Sequence, residues 1–382
     1  MASRTSSPNP SPCRPSRAEV QGGFVSRPSP THLESLADVD ERLDPGDPDA
    51  LFTAFAVLSG RREGRTKDGK PYVDLHVADL TNTVPAKIWG DQFRALEQAR
   101  ALTVGDPVKV LFHLRSFRGA TQLNVVQLRA IESDEEGYDP DALYGPGFAA
   151  VADLRCRTLV FDIETVPATD LRAAPSTIAQ AVSKHAQRTE SDESKVMSLS
   201  PFFGKVVSLA LGEGEADDPD TQDITVLAVP PPGREHDDFP AWIRPMSEAE
   251  LLQAFWTLAS LAEVVVTYNG RGFDVPFLIA RSLVHSIPVR VDLMKFGNRP
   301  HLDLYKAVGG GGRPIGPGSL DVVCWALGIE SPKGVMDGSM VAPTYAQGDI
   351  ETIAEYNAGD VAATTAVYQH VRDHLLRYRD DW

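Results

Sequence analysis

Thr158-Leu159-Val160-Phe161-Asp162-Ile163-Glu164-Thr165 is the stretch whose reading decides the fold. An apolar run of strand length leads straight into two carboxylates one residue apart. In a strand, residues i and i+2 point to the same face, so Asp162 and Glu164 project side by side while Ile163 packs the other way. Two like charges held that close repel unless a cation or a shared proton sits between them. Oxygen-only ligands suit a hard cation such as Mg²⁺ or Mn²⁺. Taken alone, the pair also reads as an ordinary strand end with two solvated acids. What decides between the readings lies more than a hundred residues downstream.

Around this strand, from Arg155 onward, strand and helix patterns alternate, which predicts an α/β sandwich. Further strands are expected over 205–211, 224–229 and 264–268, with a short fragment over 302–304 and a hairpin turn over 217–222. Helices are expected over 177–188, 247–261, 275–284, 320–327 and 349–377. Ser247 with Glu250 three residues on reads as a capping box, and 309–318 is a glycine-rich loop.

Two downstream motifs carry chemistry. After the strand over 264–268 come Asn269-Gly270-Arg271-Gly272-Phe273-Asp274 and then a helix. The glycines permit a sharp turn, and Asp274 falls where a helix begins, a position that suits either a capping acid or a ligand. On the last helix, Tyr356 and Asp360 stand four residues apart and share a face. That face continues apolar through Ile353, Ala363 and Val367, so both point inward, where an acid is costly unless paired or metal-bound. Tyr345 and Asp349 repeat the spacing. Asp349 reads as the N-cap of that helix, which leaves Tyr345 outside it and sets the pair aside.

D-x-E on the first strand, N-x-x-x-F-D at a strand–helix turn and Y-x-x-x-D on a final helix together resemble the DEDD 3′–5′ exonucleases, a ribonuclease H-like family, in its tyrosine-bearing subgroup. The chain is most similar to predicted bacterial 3′–5′ exonucleases related to the exonuclease domain of family B DNA polymerases. Supporting phrases are His301-Leu302-Asp303-Leu304, Ser319-Leu320-Asp321, Leu327-Gly328-Ile329 ahead of Lys333-Gly334, and Gly348-Asp349-Ile350. The resemblance covers roughly 157–375 and implies a mixed sheet with helices on both faces. It implies two Mg²⁺ or Mn²⁺ ions about 3.5–4 Å apart, held by Asp162, Glu164, Asp274 and Asp360. It also implies a Tyr356 that orients the attacking water. Thr165, Asn269 and Phe273 are substrate-binding candidates, with core packing the other reading for Phe273. His301 and Asp303 are candidates for supporting the ligands from behind, with a structural role as the alternative. Lys333 is a candidate phosphate contact or a solvated lysine. The sequence departs from the family in a long polar insertion over 167–200 and in its glycine loop. No polymerase palm follows, so an exonuclease standing apart from a polymerase is expected.

Residues 51–131 read as five short strands with a helix over 90–100, in the order of an OB-fold barrel. Gly69-Lys70-Pro71-Tyr72-Val73-Asp74-Leu75, Asp79-Leu80-Thr81 and Ala86-Lys87-Ile88-Trp89 resemble phrases of OB-fold nucleic-acid binders. That likeness makes Arg61, Arg65, Lys67, Tyr72, Lys87, Trp89 and Arg115 candidates for a groove where bases stack and phosphates meet cations. The aromatics read equally as barrel core, and OB-folds also bind proteins and sugars.

The expected organisation is therefore a disordered Pro/Ser-rich tail over 1–48, an OB-fold over 49–133, a linker over 134–154 and an exonuclease domain over 155–382. The chain has 382 residues and a net charge of -16, which by itself argues against a nucleic-acid partner. The distribution softens this: residues 51–131 carry eight Arg and four Lys against seven acids. Carboxylates that hold divalent cations can also still meet phosphates. Three scattered cysteines give neither a disulfide framework nor a zinc site and fit a reducing compartment. No run approaches the ~20 apolar residues of a membrane span. The N-terminus lacks the apolar core of a secretory signal, so a cytoplasmic location is expected. The functional expectation is a metal-dependent 3′–5′ exonuclease on single-stranded nucleic acid, DNA favoured over RNA, with an OB-fold that captures the strand. The alternative is a non-catalytic nucleic-acid or protein adaptor that keeps an exonuclease fold.

Overall fold

The computed structural model describes residues 29–44, 46–132, 134–215, 224–234, 238–309, 318–330, 336–379 and 382. The first 28 residues of the expected tail, the turn over 217–222, the interior of the glycine loop and Lys333-Gly334 lie outside the described residues.

The N-terminal part is a closed barrel. Its strands are β1 (Thr31–His32), β2 (Phe52–Arg65), β3 (Pro71–Ala78), β4 (Thr83–Trp89), β5 (Pro107–Phe117) and β6 (Ala120–Ala130). The order β2-β3-β4-β6-β5 closes through a second pairing of β2 with β5. β2 is long enough to serve both neighbours because it bends. Phe52–Val57 pair with β5, Gly60–Arg65 pair with β3, and the register shifts between Leu58 and Gly60. Such a bulge bends a strand and increases its twist, which closure requires. Inward residues alternate along β2, and Ala54, Ala56 and Leu58 are buried. The helix Phe93–Ala101 inserts Ala95, Leu96 and Ala99 into the core. This is the expected OB-like barrel.

Two expectations need correction. Residues 31–43 are not tail: β1 pairs in parallel with the start of β2, and Leu33, Leu36 and Val39 are buried in the barrel core. Leu33, Leu36 and Val39 recur every third residue, but over so short and acidic a segment beside a Pro/Ser-rich stretch that composition hid them. The connection over 134–154 is a packed bridge rather than a loose linker. Its helix Pro140–Tyr144 buries Leu143 and Tyr144 with Phe148 against Val57 of the barrel and Leu261 of the second domain. The Tyr144 hydroxyl donates to the Gly105 carbonyl at 3.0 Å.

The second domain is a six-stranded mixed sheet. Its strands are β7 (Thr158–Pro167), β8 (Gly204–Glu213), β9 (Thr225–Ala228), β10 (Ile243–Pro245), β11 (Val264–Thr267) and β12 (His301–Asp303). Their order is β10-β9-β8-β7-β11-β12. β7 is central, antiparallel to β8 and parallel to β11. Both faces are covered. Phe161 and Ile163 pack with the helix Glu248–Leu261, the Phe161 and Phe255 rings lying 4.7 Å apart. Val160 and Val166 pack on the opposite face with the helix Ile350–His374. Asp162 and Glu164 share the parity of Val160, so they point toward that long helix. The capping box at Ser247 and Glu250 forms as expected.

Candidate metal centre and nucleic-acid interface

Three chain segments converge on one face of β7. The first is β7 itself. The second is the turn after β11, which ends in the helix Asp274–His285. The third is the long helix, whose start is fixed by the Asp349 carboxylate accepting from the Thr352 N–H at 3.1 Å and the Thr352 hydroxyl at 2.7 Å. Asp349 thus caps the helix, and the Tyr345 hydroxyl is engaged by Lys205 and the Val229 and Pro230 carbonyls.

Asp162, Glu164 and Asp360 each offer a carboxylate oxygen, and these atoms lie within 4.8 Å of one another. Asp274 is buried beside them but outside that close trio. Burial is the largest cause that pushes the Asp162 and Glu164 carboxyls well above their usual range; next comes repulsion from the neighbouring acids, Asp274 foremost for Asp162 and Asp360 for Glu164. Asp274 is raised to about 7, again mainly by burial, against hydrogen bonds from its own N–H and that of Ile163. Buried acids packed this closely, each raising its neighbours, are what a divalent ion would stabilise, so this donor set fits hard oxygen-seeking metals.

Tyr356 hydrogen-bonds Asp360 on the same helix face. Burial, then Asp360, Glu164 and Asp162, hold its phenol protonated far above neutral pH. Asn357, buried between them in sequence, donates to the Ser208 hydroxyl at 2.9 Å, and Ser208 pairs with Glu164 across β7–β8. The other Asn357 amide atom, Oδ1, has no partner among the described residues. Neither Asn357 nor Ser208 was legible in advance, because an Asn inside a helix and a Ser inside a strand carry no spacing signal.

The turn before Asp274 is more constrained than two permissive glycines suggest. The left-handed position is taken by Asn269, at φ 61°. The glycines answer close approach instead. A Cβ on Gly270 would meet Thr267 Oγ1 at 2.3 Å, and one on Gly272 would meet Asn269 Oδ1 at 2.6 Å. Phe273 is the helix N-cap and Asp274 the first helical residue, so the Asp274 side chain is not a cap. Asp303 holds the turn from β12, accepting the Asn269 N–H at 3.0 Å and the Arg271 N–H at 3.2 Å. His301 does not touch the acids. Its Nδ1 faces the Leu293 carbonyl at 2.9 Å and must donate, which leaves Nε2 to accept from the Thr267 hydroxyl at 2.8 Å. Burial lowers its pKa to about 4, so it is a neutral structural strut.

A cleft of about 630 Å³ opens on the trio. Thr165, Asn269 and Phe273 line it. The Thr165 hydroxyl is committed to the Ser198 carbonyl at 2.7 Å. The Phe273 ring packs on Phe277 at 5.5 Å while also facing the cleft.

On the barrel, the expected basic groove divides. Tyr72 and Trp89 are neighbours across β3–β4 with ring centroids 6.2 Å apart. Lys87 Nζ sits 4.1 Å from one centroid and 4.8 Å from the other. Trp89 is 40% exposed, so it is barrel surface rather than core. Lys87 also pairs with Asp74 at 2.7 Å. Arg61 is spent on the C-terminus of the helix Phe93–Ala101, donating to the Ala99, Arg100 and Leu102 carbonyls. Arg115 is tied to the Pro48 carbonyl and to Asp49. Arg65 closes its own hairpin onto the Gly69 carbonyl at 3.0 Å, and Lys67 stands exposed at that turn. The structure therefore gathers Tyr72, Lys87 and Trp89 into one patch and gives Arg61 and Arg115 structural work. The partners of an arginine sixty residues away are invisible to a local reading.

Residues 205–378 match the family model described as "Predicted 3′-5′ exonuclease related to the exonuclease domain of PolB". That match contains Asp274, Tyr356 and Asp360 and begins after Asp162 and Glu164, which the fold brings to them. No curated protein matches the chain. Among solved structures, the chain is similar to a family B DNA polymerase from the hyperthermophilic archaeon Pyrobaculum calidifontis. The identity is 16% and the TM-score 0.37, over 83% of this chain and 46% of that one, so the chain spans about half of the polymerase. A replication protein A heterotrimer bound to ssDNA matches at 20% identity and TM-score 0.22, over 27% of this chain and 83% of that one. A mitochondrial single-stranded DNA binding protein from S. cerevisiae matches at 10% identity and TM-score 0.19, over 22% and 94%.

Proposed function

Because residues 205–378 match the model of predicted 3′–5′ exonucleases related to the exonuclease domain of PolB, we propose that the chain hydrolyses single-stranded nucleic acid from its 3′ end. DNA is favoured over RNA, and the barrel captures the strand. Exonuclease domains of this kind are metal-dependent, and we assign Mg²⁺ or Mn²⁺, two ions, to Asp162, Glu164, Asp274 and Asp360. The observation that carries the reading is the convergence of Asp162, Glu164 and Asp360, whose carboxylate oxygens lie within 4.8 Å of one another.

Divalent cations bound there supply Lewis-acid stabilisation of the phosphate and a water acidified toward neutral pH. The chain's own residues do the rest. Tyr356 remains a phenol at working pH and gives its one O–H to Asp360, so it orients the attacking water by accepting from it and does not act as a base. Asp274, fixed by the N–H of Ile163, ties the helix start to the catalytic strand. Asn269 and Phe273, which line the cleft, offer an amide and an aromatic ring to the terminal nucleotide. Tyr72, Lys87 and Trp89 offer stacking surface for unpaired bases, which suits sequence-tolerant capture of a single strand. Tethering raises the local concentration of that strand at the cleft. No helix of the described residues is long and apolar enough to cross a membrane. Free Cys156 and Cys324 favour a reducing, cytoplasmic setting.

The test is release of mononucleotides from 5′-labelled single-stranded DNA and RNA, with Mg²⁺, with Mn²⁺ and with excess EDTA. Stepwise 3′ shortening that needs the metal, and that Asp162→Ala and Asp360→Ala abolish, is expected. Turnover that persists in EDTA or in either variant would overturn the mechanism. Strand binding without turnover under every metal would instead identify an adaptor.

A further inference from the structure

The segment between β7 and β8 is where the chain departs from the family it resembles, and it builds one wall of the carboxylate cleft. Two helices, Ser176–Arg188 and Glu193–Ser198, pack on each other, and the second also packs on β7. The second helix is fixed beside the catalytic strand. The Thr165 hydroxyl, one residue after Glu164, donates to the Ser198 carbonyl at 2.7 Å. Arg281 donates to the Pro201 carbonyl at 3.0 Å, and a Cβ on Gly204 would meet the Met197 carbonyl at 2.8 Å. This wall is therefore anchored at its cleft end.

The charges along the cleft are unequal. Asp162, Glu164, Asp192, Asp274 and Asp360 line it, and Lys195 is the one cationic side chain among the described lining residues. Lys195 is exposed, and no ion pair or hydrogen bond engages its ammonium among the described residues. Asp192, its acidic neighbour, is turned onto the helix backbone, accepting the Lys195 N–H at 2.7 Å. A nucleic-acid strand brings more than the scissile phosphate. The metal site neutralises only that phosphate, and the next one along enters an otherwise acidic cleft. An ammonium on a flexible four-carbon stem is suited to meet it.

We propose that Lys195 binds the substrate phosphate adjoining the scissile one, which makes the helical segment over 176–198 the strand-holding wall of this active site. The proposal rests on the exonuclease reading. Lys195 is a specificity residue in it, because it distinguishes a strand from a single nucleotide ester.

The full-length chain with Mn²⁺ is assayed on 5′-labelled trithymidylate and triuridylate, which are shorter than the roughly 4–16 nucleotides an OB-fold occupies. A p-nitrophenyl ester of thymidine 5′-monophosphate, which has no adjoining phosphate, serves as the control. Lys195→Ala is expected to raise KM on the trinucleotide about 5–20-fold with kcat within about twofold. It also lowers the salt slope of log(kcat/KM) by roughly 0.7, the loss of one phosphate contact on a single strand. Lys195→Arg restores KM, Lys195→Glu raises it further, and the ester is hydrolysed equally by all four proteins. An unchanged KM and slope in Lys195→Ala, or an equal loss on trinucleotide and ester, overturns the proposal while the exonuclease reading stands. A wild-type chain inactive on all three substrates overturns both.

Discussion

Asp303 on β12 accepts the backbone N–H of Asn269 at 3.0 Å and that of Arg271 at 3.2 Å, clamping the turn that delivers Asp274 to the cluster. Asp303 thereby acts on the site without being one of its ligands. Asp303→Ala takes the acceptor from two part-buried N–H donors and lets Asp274 shift. Losses of roughly 10–100-fold in metal affinity or activity are typical when such a support is removed. Metal titration of activity should show a raised metal requirement in Asp303→Ala, with partial recovery in Asp303→Asn, which keeps one acceptor oxygen. A variant with normal metal dependence would contradict the clamp.

The clustered acids make a prediction about the metal-free protein. Asp274 is raised to about 7, and Asp162 and Glu164 are raised as well, so the native state holds more protons than the unfolded chain above about pH 4. Stability must then fall as pH rises from about 4 toward 7, because unfolding releases protons there. Thermal unfolding in EDTA should show Tm declining across that window. Mn²⁺ should raise Tm little at pH 5 and clearly at pH 7.5, where it replaces the lost protons. Asp162→Asn should raise the metal-free Tm by about 3–6 °C at pH 7.5, since relief of roughly 1–2 kcal/mol moves Tm by about that much. The same variant should lose hydrolysis. A lower metal-free Tm in Asp162→Asn would refute the repulsion.

The barrel patch separates stacking from charge. Trp89→Ala should weaken binding of oligothymidylate by about 5–150-fold, the equivalent of the roughly 1–3 kcal/mol of one stacked base, with the salt slope unchanged. Lys87 is already paired with Asp74 and wedged against both rings, so its charge is largely spent. Lys87→Ala should then weaken binding by loosening Tyr72 and Trp89 while lowering the salt slope by well under one unit. Fluorescence anisotropy over a salt series reads both effects. A full unit of slope lost in Lys87→Ala would return it to the role of phosphate contact.

The sequence by itself determined the chemistry-bearing residues and the faces they occupy. Period two places Asp162 and Glu164 together, spacing of four places Tyr356 with Asp360, and alternating strands and helices announce the mixed sheet. Those are local rules, enforced by backbone geometry within one element. Only the tertiary structure decided what depends on partners distant in the chain. It set which acids close to within 4.8 Å, that Asp303 holds the turn before Asp274 directly while His301 bonds only Thr267 and the Leu293 carbonyl, and that Arg61 and Arg115 are spent on carbonyls. It also turned a segment read as mere polar insertion into a wall of the cleft. A side chain's face follows from its own strand or helix, but its partner follows from packing, and packing is a property of the whole chain.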